Sequence, residues 1–183
     1  MIELFSWRWF WILLLALLSV GCSDEEGAVT PAIGERLPPM QLHPLMATDS
    51  APLRFDEERI VVLNVWAPWC PPCLDEMPSL EALNQKLDPR RFRVVGITLD
   101  DRFLAEEFLR KIGVTYNNWF DPTGDIVRGQ LGIQTYPATL LIGPGGILLQ
   151  RIRGWQQWDE PDSIKNLESL YRKSMGEGRL SER

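Results

Sequence analysis

The chain has 183 residues, 45% apolar and 24% charged, with a net charge of −6. That length and apolar share suit one domain with a full core. An acidic chain with no cluster of Lys and Arg is a poor match to nucleic acid, and three Cys with one His fall short of the usual ligand supply of a structural zinc site.

Residues 1–21 read as a targeting segment, with Arg8 as the positive charge and an apolar run over 9–20 broken only by Ser19. A run of that length fits a signal-peptide core, whereas a spanning helix needs ~20 residues. Ser19-Val20-Gly21 followed by Cys22 resembles a bacterial lipobox, in which the cysteine is lipidated and becomes the first mature residue. Ser19 stands where an aliphatic residue is usual, so an uncleaved anchor is the alternative. Either way the remainder is expected outside the cytoplasm on a membrane surface, where disulfides persist. Residues 22–33 are polar and acidic and read as a flexible tether.

Residues 34–173 carry the folding pattern. Residues 38–42 and 51–55 are expected to pair as a short entry hairpin, with their prolines at an edge. Residues 60–65 form a nearly unbroken apolar strand of the kind buried on both faces, interrupted by Asn64. A helix is predicted over 71–87, with Leu80, Leu83 and Leu87 inward and a kink at Pro78. A strand at 92–99 and a helix at 102–112 follow, the helix directing Phe103, Leu104, Phe108 and Leu109 to one side and ending at Gly113. Then come a short strand at 118–120, a turn at 121–124 and a brief helix at 125–131. A hairpin joins strands 138–142 and 147–153, and an amphipathic helix over 161–173 packs Ile164, Leu167 and Leu170. Residues 174–183 are polar and read as a disordered tail. The order is that of an α/β sandwich.

The chemistry concentrates in Val65-Trp66-Ala67-Pro68-Trp69-Cys70-Pro71-Pro72-Cys73, at a strand-to-helix junction. Two cysteines at this spacing read as a dithiol/disulfide site. Cys70 sits at the positive end of the helix dipole, and Pro71 and Pro72 occupy the turn where a missing N–H matters least. The Cys73 N–H is expected to point at the Cys70 sulfur and favour its thiolate. Cys73, one turn in, can then attack a mixed disulfide formed on Cys70. A purely structural bridge across two residues would close almost no loop and stabilise little. Glu76 lies three residues beyond Cys73 on the same helix face and is the candidate to take its proton. An acid near a helix start is also favourable electrostatically with no catalytic role.

The stretch Leu63 to Cys73, followed by Glu76-Met77-Pro78, resembles the TlpA/ResA-like branch of the thioredoxin superfamily. These are membrane-tethered thiol-disulfide oxidoreductases of the bacterial cell envelope, and the resemblance runs over residues 34–171. It implies a thioredoxin-like fold: a central mixed sheet flanked by helices, with an N-terminal hairpin and an inserted helix and strand over 102–120. It implies that Tyr136-Pro137 is cis and meets an extended substrate segment together with Trp69. It also implies that Asn64 replaces the buried aspartate of thioredoxin itself. The nearby DsbE type tends to carry an acid just after the proline, where this chain has Ala138. The expected activity is reduction of protein disulfides, in cytochrome c maturation or copper-site assembly, with electrons from a membrane thiol-reducing donor. No cofactor beyond the Cys70–Cys73 couple is expected. Two alternatives are a thiol peroxidase, for which Ala67 lacks the needed hydroxyl, and a Cu(I) carrier using both cysteines and a third soft ligand.

Overall fold

A computed structural model describes residues 30–46, 53–55 and 58–181, with side chains to residue 176. The expectations for residues 1–29, Cys22 among them, lie outside the described residues. The strands are β1 (His43–Pro44), β2 (Ile60–Val65), β3 (Phe92–Thr98), β4 (Asn117–Phe120), β5 (Ala138–Ile142) and β6 (Leu148–Arg153). The α-helices are α1 (Pro71–Lys86), α2 (Arg102–Ile112) and α3 (Pro161–Ser181). The sheet order is β1-β4-β3-β2-β5-β6. β2, β3 and β4 run parallel, as the crossover helices α1 and α2 require, and the other pairings are antiparallel.

β2 is buried along its whole length because both faces of the sheet are covered. Ile60, Val62 and Trp66 join the core made with Met77, Leu80 and Leu83 of α1, Leu109 of α2 and Leu167 of α3. Val61, Leu63 and Val65 join the opposite core with Ile97, Trp119, Val127 and Leu140. The two-residue period of a strand therefore sends Asn64 to the α1 side.

Several elements differ from the sequence expectation. The entry hairpin is not formed among the described residues: 38–42 and 53–55 make no strand. The chain there pairs with other partners, β1 with β4 and Arg36 with Ile147. Gly34 and Leu37 donate to Leu148 and Gly146 at 2.8 Å each, which seats this segment on the β5–β6 turn instead. In α2 the inward residues are Ala105 and Leu109, while Phe103 is 72% and Leu104 52% exposed. The apolar residues of α2 divide into two stripes, and only one faces the core. Residues 125–130 form a wide turn in which the Leu131 N–H reaches the Ile126 carbonyl, five residues back, at 2.8 Å. The Asp121 carboxylate accepts the Ile126 and Val127 N–H groups and caps that turn. α3 continues to Ser181, past the break expected after residue 173.

Candidate active site

β2 ends beside Ala138 of β5 and Ile97 of β3, and the chain leaves it into the cysteine loop. The Trp66 N–H extends the pairing to the Ile97 carbonyl at 3.0 Å, and its buried indole donates to Asn118 Oδ1 at 2.9 Å. A turn from the Cys70 N–H to the Ala67 carbonyl, 3.1 Å, delivers Cys70 to the N-cap of α1. Pro71 and Pro72 lack donors, so the first N–H groups of the helix belong to Cys73 and Leu74. Both bond the Cys70 carbonyl, at 3.0 and 3.1 Å. This corrects the expectation that the Cys73 N–H points at the Cys70 sulfur: with the disulfide closed, the helix's first turn takes that donor. The Cys70 and Cys73 sulfurs are bonded at 2.05 Å, Cys70 is 4% exposed and Cys73 is fully buried.

The inward stripe of α1 runs Cys73, Glu76, Met77, Leu80, Leu83, so the spacing that makes an apolar face carries a carboxylate into the core. Glu76 is fully buried. Its Oε1 accepts from Asn64 Nδ2 at 2.6 Å. Its Oε2 accepts from the Gln156 N–H at 3.2 Å and from Trp158 Nε1 at 3.4 Å. Burial pushes its pKa from the ordinary 4.5 up to about 7, against the pull of these three donors. The Trp158 N–H donates to Ser79 Oγ at 3.1 Å, and that hydroxyl donates to the Glu76 carbonyl at 2.8 Å. The loop after β6 is thus tied to α1 at both ends of Glu76.

Trp69, next to Cys70, is 61% exposed. Its indole N–H donates to Asp100 at the end of β3, and its ring meets Tyr136 edge to face with centroids 5.9 Å apart. The Tyr136-Pro137 bond is cis, as the resemblance implied. Pro137 immediately precedes Ala138, which pairs with Val65, so the proline lies at the end of the sheet from which the cysteine loop departs. Trp69, Pro68, Leu104, Phe108, Glu107 and Lys111 line an open groove of about 280 Å³ beside this loop. The groove takes up Leu104 and also touches Phe108, which packs against the core as well, while Phe103 lines neither.

The structure therefore brings Cys70, Cys73 and Glu76 together, and Trp69 with Tyr136 and Pro137 around them. Cys22 lies outside the described residues. Sequence reading did not find Asp100, Thr139, Gln156 or Trp158 as site residues. Trp158 stands 82 positions from Glu76 and carries no local pattern that would pair the two.

The AhpC/TSA family matches residues 33–151. Thiol-disulfide oxidoreductase ResA of Bacillus thuringiensis is 29% identical over 97 residues, 52% of this chain and 56% of that protein, so the chain spans little more than half of that relative. Thiol:disulfide interchange protein DsbE of Yersinia pestis is 36% identical over 157 residues, 79% of this chain and 75% of that protein. The neutral Ala138 had set this chain apart from the DsbE type, yet the DsbE relative shares the greater fraction of residues. A crystal structure from Chlorobium tepidum, ascribed to a thiol:disulfide interchange protein DsbE, superposes with a TM-score of 0.66 at 25% identity, covering 79% of this chain and 99% of that one. With a paired Cys70 and Cys73 at the start of α1 and a sheet of the same class, the chain belongs to the AhpC/TSA family and, within it, to the thiol-disulfide oxidoreductases of the thioredoxin superfamily.

Proposed function

We propose that this chain is a membrane-tethered, extracytoplasmic reductase of protein disulfides that works by dithiol exchange through Cys70 and Cys73. The observation that carries the reading is Glu76, buried on the helix face of Cys73 with a pKa near neutrality, where a resolving thiol must lose its proton. In the reduced enzyme the Cys70 thiolate attacks one sulfur of a partner's disulfide, and the partner's other sulfur leaves as a thiolate. Cys73 gives its proton to Glu76 and attacks Cys70 Sγ. The bond to the partner breaks, the partner's two thiolates take up one proton from Glu76 and one from water, and the enzyme holds the Cys70–Cys73 disulfide. Two electrons have moved to the partner, and a membrane thiol-reducing donor restores the dithiol.

Trp69, Tyr136 and Pro137 are the residues we assign to contact with the partner's extended segment. The N-terminal apolar run and Cys22 support anchoring by a lipid on the outer side of a membrane. Roles in cytochrome c maturation or copper-site assembly fit through the resemblance to the TlpA/ResA branch. Thiolate stabilisation by Pro71-Pro72 is modest, since neither residue is charged, and that favours a reducing couple. Equilibration of the protein with glutathione tests the direction. The expected midpoint is more negative than about −180 mV, the value for protein disulfide isomerase, and one near about −120 mV would make the protein an oxidant. Peroxide serves as the control substrate, because Ala67 has no hydroxyl to orient it.

A further inference from the structure

Asn64 is spent unevenly. Its Nδ2 donates both to Glu76 Oε1, at 2.6 Å, and to Thr139 Oγ1, at 3.1 Å, while its buried Oδ1 has no partner among the described residues. Asn64 and Thr139 face each other directly in the β2–β5 register, so the contact is built into the sheet. This arrangement suits a carboxylate, which only accepts. Once Glu76 binds a proton, one of its oxygens becomes a donor and needs an acceptor. Among the described residues Oε2 meets only the Gln156 N–H and the Trp158 indole N–H, neither of which can accept. Oε1 meets an amide, and an amide presents an oxygen where it presented a nitrogen after a half-turn about its last bond.

We propose that Asn64 is a two-position amide switch that registers the proton on Glu76, with the Thr139 hydroxyl reversing beside it. With Glu76 ionised, the Asn64 NH₂ faces both Glu76 and Thr139. With the proton on Oε1, the amide turns over, and Oδ1 accepts from Glu76 Oε1–H and from Thr139 Oγ1–H. In the observed orientation Oδ1 makes no hydrogen bond among the described residues, so turning the amide breaks none at that end, and the proton on Glu76 decides which atom faces it. Asn64 is then a positioning residue: it keeps Glu76 hydrogen-bonded before and after proton uptake. The proposal rests on Glu76 as the proton acceptor of Cys73. Of the other titratable groups near by, Cys73 lies one turn back on α1. Tyr116, from the segment before β4, is pushed above its ordinary range by burial and by the charges of Glu76 and Glu81, so it stays neutral. Burial raises Glu81, but the Thr115 and Gln85 donors outweigh that and keep it ionised at neutral pH.

The test is NMR of the oxidised full chain with ¹⁵N-asparagine and ¹³C-glutamate labels, titrated from about pH 5 to 9 around the shifted carboxyl. The Asn64 side-chain ¹⁵N signal is expected to move with the midpoint of the Glu76 carboxyl carbon, and to stay still in Glu76→Gln. Three results overturn the switch: a flat Asn64 signal while Glu76 titrates, an Asn64 titration that persists in Glu76→Gln, or no titration of Glu76 in this range. The proton-acceptor reading fails separately, when Glu76→Gln resolves a mixed disulfide at the wild-type rate although Asn64 follows Glu76 in the native chain.

Discussion

Glu76 is a charged side chain in a helix stripe whose other members are Cys73, Met77, Leu80 and Leu83. Helical spacing alone made this face legible: Cys73 and Glu76 are three residues apart, and three-residue neighbours share a face. The donors that hold the carboxyl came from β2 and from the loop after β6, and no pattern within α1 could announce them. The role assigned to Glu76 makes a kinetic prediction. A mixed disulfide formed on Cys70 with a peptide should be resolved by Cys73 at a rate that rises with pH as Glu76 ionises, through about 7. Glu76→Gln keeps the shape and abolishes the titration, so resolution near neutral pH should slow by on the order of 100-fold. The first attack by Cys70 should be unchanged, since Glu76 lies beneath Cys73. Rapid-quench alkylation separates the two steps, and equal resolution rates in both proteins across the range would return Glu76 to a structural role.

At the scale of elements, the site is a row across the sheet. Thr139 of β5, Asn64 of β2, Gly96 of β3 and Asn118 of β4 are successive partners in register. Gly96 carries no side chain because the space above it is taken: a Cβ there would overlap the Asn118 carboxamide and crowd Trp66 Nε1. The indole of Trp66 reaches Asn118 through that gap. Gly96→Ala should therefore displace Asn118, break the Trp66 bond and destabilise the fold by about 1–3 kcal/mol, the usual range for overpacking. Urea unfolding followed by tryptophan fluorescence measures it; wild-type stability in Gly96→Ala would show that the row can relax. β2 could be read from sequence because an apolar run interrupted only by Asn64 admits one buried strand. α2 could be read as a helix but not as two stripes, because Phe103, Leu104, Phe108 and Leu109 look alike to a periodicity argument. Only the position of Trp69 across the groove separates Leu104 from Leu109, with Phe108 touching both the groove and the core.

At the scale of the whole molecule, strand and helix order was legible because each crossover helix announces a parallel pair, whereas the entry segment was not. Prolines at 38, 39 and 44 fit an edge wherever it lies, and the pairing of β1 with β4 depends on a strand more than 70 residues downstream. The same fold that covers both faces of β2 also buries Glu76, and that cost must appear in overall stability. A carboxyl whose folded pKa is raised binds more protons in the native state than in the unfolded one between the two pKa values. Stability therefore falls as pH rises from 4.5 towards about 7 and then levels, with the full Glu76 contribution lost above that range. The shift corresponds to an effect on the order of 3 kcal/mol. Groups with lowered pKa, Asp88 and Asp159 among them, act in the opposite sense, and their stabilisation is lost only as pH falls below their ordinary 3.8. Glu76→Gln isolates the term, because glutamine resembles the protonated acid at every pH. In the oxidised protein the urea midpoint of Glu76→Gln should lie near that of the wild type at the acid end of the window. It should rise clearly above the wild type once Glu76 is ionised. A difference between the two proteins that does not change with pH would mean that Glu76 reaches water in the folded state, and its burial would then cost the fold nothing.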